Sequence, residues 1–210
     1  DRLRIRPAPL LCHGTRDCAS KASCPSKGAS AGSKAFMRRW CDVREVLKLL
    51  AHYVALILVL PSVLSWRLRT LVMGADRALE GSTQFWAIVP GVGGQYLRRA
   101  FLCQSLSHCA RSATIEFGTL FSSADASIGE RAYIGPRCHL GWALIEENAL
   151  IAAGVHIPSG ARTHGMAEVA VAMRDQPTTK TPVRIGAGAW IGSAAVVMAD
   201  VGRDAVIRPG

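Results

Sequence analysis

Histidine is the side chain best suited to move a proton near neutral pH. Of the six histidines in this chain, three lie beyond residue 112: His139, His156 and His164. His139 and His156 each stand immediately before an aliphatic residue, Leu140 and Ile157. His164 sits in Ser159-Gly160-Ala161-Arg162-Thr163-His164-Gly165. An imidazole in either setting could take a proton from a hydroxyl or ligate a metal. Other chemistry-bearing groups carry less. Glu146 and Glu147, followed by Asn148, read as a solvated corner rather than an acid–base pair. Ser105, Ser107 and His108 lack the strained-turn motif of a nucleophile. The seven cysteines show no disulfide framework, and Cys12, Cys18 and Cys24 do not have a zinc spacing; they read as free thiols.

The element that must position these groups is a six-residue repeat. Ile128-Gly129, Ile134-Gly135 and Leu140-Gly141 are its clearest stretch. After a five-residue step come Ile145, Ile151 and Ile157, and after a gap Ile185-Gly186, Ile191-Gly192, Val197, Val201-Gly202 and Ile207. A period of six fits neither a helix nor a simple strand. It fits a parallel β-helix, in which each hexad forms one flat wall and the aliphatic residue points inward. The glycine that follows reads as a corner residue with access to unusual backbone conformations. His139 and His156 then point outward, stack on one wall and lie about 4.8 Å apart, the spacing of neighbouring strands. Between Ile157 and Val183 the register is lost, so residues 160–182 form an excursion from the β-helix.

This repeat resembles that of the hexapeptide-repeat acyltransferases, whose coils build a left-handed β-helix, an exception to the usual right-handed crossover. The stretch Trp190 to Val197 is similar to the late coil of that family. Ile115 to Ser122, Ile88 to Gly91 and Tyr96 to Phe101 resemble a membrane-associated subgroup linked to acylation of capsular, exopolysaccharide or lipid-bound sugars. The resemblance covers roughly residues 46–210 and implies a homotrimer, with active sites between neighbouring prisms and the excursion helping to form each. It implies acetyl-CoA or another acyl-CoA as co-substrate and a sugar or glycolipid hydroxyl as acceptor. His164 becomes the general base. Trp190, Gly192, Ser193 and Ala194 become the lining of the acyl-CoA groove, with backbone amides offered to the thioester or pantetheine. Arg208 could meet a CoA phosphate or be solvated. One departure stands out: related sequences often carry two histidines in the turn at 162–164, and here the earlier position is Arg162. Zinc-binding relatives of the gamma-carbonic-anhydrase kind use a distant histidine and a close pair. His139, His156 and His164 do not reproduce that pattern, so no metal is expected, and a zinc lyase stays an alternative. A catalytically inactive scaffold is the other.

The formal charge of +10 is unevenly placed. Residues 1–69 hold 13 Lys and Arg against 4 Asp and Glu; residues 70–210 hold 12 against 11. The repeat region therefore has no basic stripe, and no nucleic-acid partner is expected. The excess charge flanks an uncharged run from Leu49 to Trp66, near the length needed to span a bilayer. Because acyl-CoA is cytosolic, a single span would place the basic arm outside, against the usual charge asymmetry. The expectation is thus a re-entrant or surface-lying helical hairpin bent at Pro61-Ser62, meeting a membrane surface through residues 43–108, with a buried helix packed on the β-helix or a neighbouring subunit as the alternative. Gly74 ends its second limb, Pro90 to Gly94 is a loop, and Gln95 to His108 is a helix packed on the membrane or on the first coil.

The organisation expected is a basic arm at 1–36, disordered or not part of the natural product, and a helical membrane-associated segment at 37–111. A mainly β domain follows at 112–210, with its last coil incomplete. The location expected is the cytoplasmic face of the inner (plasma) membrane, or the cytoplasm.

Overall fold

The computed structural model describes residues 31–161, 171–172 and 175–210, with side chains for 43, 46–161, 171–172 and 175–210. The chain divides into two units, Asp1–Leu47 and Lys48–Gly210. The first holds the start of the first helix, and the second holds the β-helix and the helical segments packed on it. Three helices come first: α1 (Ala31–Met73), α2 (Ala75–Ala87) and α3 (Gly91–Ser105). Among the described residues twelve short strands then wind through about five turns of a left-handed parallel β-helix.

The first coil holds β1 (His108–Cys109), β2 (Thr114–Ile115) and β3 (Leu120–Phe121), and the second holds β4 (Ser127–Ile128), β5 (Tyr133–Ile134) and β6 (His139–Leu140). The third holds β7 (Ala143–Ile145), β8 (Leu150–Ile151) and β9 (His156–Ile157). After the excursion come β10 (Val183–Ile185), β11 (Trp190–Ile191) and, on the last coil, β12 (Val206–Ile207). Stacking gives three parallel faces: β1-β4-β7-β10, β2-β5-β8-β11-β12 and β3-β6-β9. Val196 extends the third face through a bridge to His156, and Val201 extends the first through a bridge to Ile185.

The repeat aliphatics from Ile115 to Val201 are at most 7% exposed. Each such burial stabilises by about 1.5–3 kcal/mol. Two positions earlier a smaller residue is also buried in most hexads: Ala113, Ala126, Ala132, Cys138, Ala149, Ala189 and Ala195 among them. Large and small side chains therefore alternate across the narrow core.

The glycines after the aliphatics do not turn the corners through an unusual backbone conformation. At Gly129, Gly135, Gly186 and Gly192 the next coil is too close for a side chain: a Cβ on Gly129 or Gly135 would lie 2.7 Å from backbone carbon of the coil stacked on it, whereas one on Gly202 would meet nothing within 4 Å. The left-handed backbone falls two residues later, at Arg131, Arg137, Asn148, Ala194 and Asp204, with φ of 54–59°, and at Gly118, Gly154 and Gly188.

Along the walls many amides donate to carbonyls of the coil after, as in Thr114 N–H to Ala132 O (2.9 Å) and Glu116 N–H to Ile134 O (2.9 Å), while others donate back to the coil before, as in Arg137 N–H to Phe117 O (2.9 Å). The first coil has no coil before it, so its own carbonyls need other donors. Helices α2 and α3 supply them. Arg98 Nε donates to Ile115 O (3.2 Å), Arg99 Nη1 to Ala113 O (3.2 Å) and Thr83 Oγ1 to Phe121 O (3.3 Å). Arg98 is buried and its Nη1 also donates to Val89 O (2.6 Å) and Trp86 O (3.3 Å), so it ties the end of α2 to the first coil. Of the two surfaces open to the third helix, the first coil is the one it packs against.

Three expectations are corrected. No bend into a hairpin occurs at Pro61; α1 continues through it to Met73. One narrow stripe, His52, Ala55, Val59 and Val63, packs inward, and Trp86 Nε1 donates to Ser62 Oγ (3.0 Å), holding this part straight along the cap. Gly74 ends the helix as expected, with φ 83°. Gly91 to Gly94 are the first turns of α3 rather than a loop: Gly94 seats against Val89 O, where a Cβ would collide. The helix stops at Ser105, because Ser107 is drawn into the first coil by Ser107 N–H to Ala124 O (2.8 Å) and Ser107 Oγ to Ala126 O (2.7 Å). His108 consequently belongs to β1.

Two substitutions separate close approach from backbone strain. Gly135→Ala is expected to cost about 1–3 kcal/mol through overpacking and to lower the melting temperature by several degrees. Arg137→Gly relieves a left-handed cost of about 1 kcal/mol and is expected to leave the melting temperature unchanged or raise it. Thermal unfolding followed by circular dichroism checks both.

Candidate active site

Alternation along a strand turns the residue before each buried aliphatic outward. That rule places His139 of β6 and His156 of β9 on the third face, where parallel pairing sets them directly opposite each other. Their ring centroids lie 4.8 Å apart with the planes at 67°, the spacing the repeat implies. His139 is half-buried and His156 exposed.

Helix α2 runs over this face. It buries Ala78, Leu79, Ser82, Thr83 and Trp86 against the rest of the fold. Its other side presents Asp76 and Glu80, one turn apart, to a cleft of about 470 Å³ that both histidines line. Ser159 and Lys180, at the two ends of the excursion, complete the wall. Asp76 is fixed from two directions: Lys180 Nζ donates to Oδ2 (2.6 Å) and Ala124 N–H to Oδ1 (2.9 Å). Burial alone would push the Asp76 carboxyl up, but these hydrogen bonds prevail and hold it below its ordinary range. The rear is tight. Ser159 Oγ accepts Trp142 N–H (3.0 Å), and a Cβ on Gly141 would lie 2.6 Å from that oxygen.

The excursion leaves and returns at one corner. Thr181 N–H donates to Ser159 O (3.0 Å) and Val183 N–H to Trp142 O (2.9 Å), while Gly160, at φ 86°, passes against Thr181. The cleft therefore lies at the root of the excursion. His164, the base expected from sequence, and Arg162 beside it lie outside the described residues. Gln176, also in the excursion, is buried.

The strip expected to line the acyl-CoA groove is elsewhere. Trp190 is 46% exposed on the second face, outward as its place before Ile191 requires. Gly192 N–H is committed to Ile207 O (2.8 Å) and Ala194 N–H to Ala153 O (2.9 Å), so these two amides serve coil stacking, and Trp190, Ser193 and Ala194 are exposed. Within one chain the strip and the cleft occupy neighbouring faces. Glu146 binds a corner, accepting from Arg184 Nη1 (3.2 Å) and Ala187 N–H (3.0 Å). Ser105 and Ser107 donate to backbone carbonyls. Among the described residues, no group of three His, Cys, Asp or Glu side chains is disposed to hold a metal ion.

Sequence reasoning treated His139 and His156 as surface or interface residues and did not single out Asp76, Glu80 or Lys180. The i, i+4 spacing of Asp76 and Glu80 was a usable signal that they share a helix face. Nothing local said which wall that face would meet.

Comparison with protein-family models, with curated proteins and with solved structures finds no match for this chain. The architecture defines the class. A β-solenoid built from hexads in this way fits the hexapeptide-repeat superfamily.

Burial first, then the neighbouring His156, pushes His139 below the ordinary imidazole range, and Glu80 opposes them. Arg77, Asp76 and Lys180 are the other charged groups around the cleft. The folded chain then binds this proton less tightly than the unfolded one. The resulting stability is fully present above about pH 6.5 and is lost as pH falls from there through the lower folded value. Nitrogen-detected NMR titration is expected to show His139 titrating low, lower still in Glu80→Gln and higher in His156→Gln.

Proposed function

We propose that the chain is a CoA-dependent O-acyltransferase. It moves an acetyl or other short acyl group to a hydroxyl of a polysaccharide precursor or glycolipid. The observation that carries this reading is an imidazole-lined cleft at the root of an excursion from a left-handed β-helix. Acyl transfer needs a neutral base for the hydroxyl, donors for the oxyanion and alignment of both substrates. The hydroxyl oxygen attacks the thioester carbonyl; the new C–O bond forms, the C–S bond breaks, and the proton passes through the base to the departing thiolate. His164 is assigned as that base on the resemblance alone, which puts the base in the segment that follows Gly160 in sequence. CoA is assigned to the strip Trp190, Gly192, Ser193 and Ala194. Since strip and cleft occupy different faces of one chain, packing of prisms as a homotrimer would join them.

Membrane association is assigned to α1. Val46–Met73 is long and apolar enough to cross a bilayer, by length and composition. Outside its inward stripe this segment exposes large apolar side chains, with Ile57, Leu64 and Leu71 between 61% and 83% exposed. The site is placed on the cytoplasmic side, where acyl-CoA is available.

Acetyl-CoA turnover, followed as free-thiol release with pooled sugar and glycolipid acceptors, tests the reaction. Acceptor-dependent release is expected, falling about 10²- to 10⁴-fold in His164→Ala. No release in the presence of any acceptor, with no CoA binding, would remove the transferase reading. In flotation with anionic vesicles the chain is expected to rise with lipid, and Ile57→Lys with Leu64→Lys to leave it in the soluble fraction.

A further inference from the structure

Four pieces of the chain converge on the third face: α2, the strand pair β6–β9, the corner after β9, and the segment returning to β10. Their charges cancel. Asp76 is bonded to Lys180 at 2.6 Å, and Arg77 and Glu80 have opposite signs. Burial and the neighbouring His156 lower the proton affinity of the half-buried His139. An anionic ligand, the phosphates of CoA included, would find no surplus positive charge and would meet two carboxylates. Phosphate sites are built the other way, from Arg, Lys and amide donors.

What the cleft does offer is a ring of hydrogen-bonding groups beside the half-buried ring of Pro158. Two stacked imidazoles present both donor and acceptor nitrogens. Glu80 is an acceptor, unburied enough to reach a ligand. That combination complements an uncharged ring that carries hydroxyls on its rim and C–H groups on its face. The volume of about 470 Å³ lies in the range of small-ligand sites.

We infer that the cleft between α2 and the third face binds an uncharged sugar residue, with His139 and His156 bonded to its hydroxyls and Glu80 accepting from them. The site rests on the transferase reading only in making this sugar the acceptor. His139 and His156 are then specificity-determining contacts, separate from the base assigned to His164. The cleft excludes CoA, which keeps the two substrates on different faces.

The test uses the full chain in a zwitterionic, sugar-free detergent. Imidazole nitrogens are followed by NMR while methyl glucoside, methyl galactoside and methyl N-acetylglucosaminide are added in turn, with inorganic phosphate and CoA as controls. At least one glycoside is expected to shift the His139 and His156 signals saturably, and Glu80→Gln to weaken that binding by about tenfold. Phosphate and CoA are expected to leave both signals in place. The site is overturned if no glycoside moves either signal, or if phosphate or CoA moves them instead. Circular dichroism confirms that each variant is folded. Thiol release separates the two readings. Glycoside binding without acceptor-dependent release keeps the site and removes the transferase. Release whose acceptor KM is unchanged in His156→Gln and Glu80→Gln removes the site and keeps the transferase.

Discussion

Successive coils approach each other so closely that some positions admit no side chain at all. Gly129, Gly135, Gly186 and Gly192 each face the backbone of the next coil at 2.4–2.8 Å from where a Cβ would sit. This closeness lets amides of one coil reach carbonyls of its neighbours and lets the inward aliphatics stack on one another. The chain turns sharply two residues after Gly129, Gly135 and Gly192, where Arg131, Arg137 and Ala194 adopt the left-handed conformation. The stack tolerates that cost because it is held from both sides, by hydrogen bonds along the coil and by the buried column inside.

A stack of this kind has an open edge, and unpaired strand edges invite association. Here α2 and α3 cover the first coil, and the buried Arg98 makes the joint by donating to carbonyls from both partners. The cover has a second consequence. A helix laid across the first coil overhangs the third face, so the residues on its outer side meet the side chains of later coils. Asp76 and Glu80 thereby come to share a cleft with His139 and His156, which lie far off in sequence. The strands hold the imidazoles at a spacing set by parallel pairing, a more rigid support than a loop provides.

Much of this was legible in the residues because hexads write their own geometry. The inward aliphatics, the five-residue step before Ile145, the outward Trp190 and the stacked histidines all followed from counting sixes. The buried small residue two places earlier was equally periodic, and it was overlooked because alanine carries little hydrophobic signal. The helical region was harder. Pro61 reads as a break by local rules, yet packing of the Ala55, Val59 and Val63 stripe carries α1 through it. Gly91 to Gly94 read as a loop, yet Gly94 is a contact residue within a helix. The carboxylate wall of the cleft was illegible because it depends on which face α2 overhangs, a tertiary fact without a local signature.

The most direct measurement is an electron cryomicroscopy structure of the full chain in lipid nanodiscs with CoA and the best-binding methyl glycoside. The account predicts sugar density on the third face against His139 and His156, CoA density along the face that bears Trp190, and α1 in contact with lipid. CoA density inside the cleft, or a cleft filled by side chains of a neighbouring copy, would contradict it.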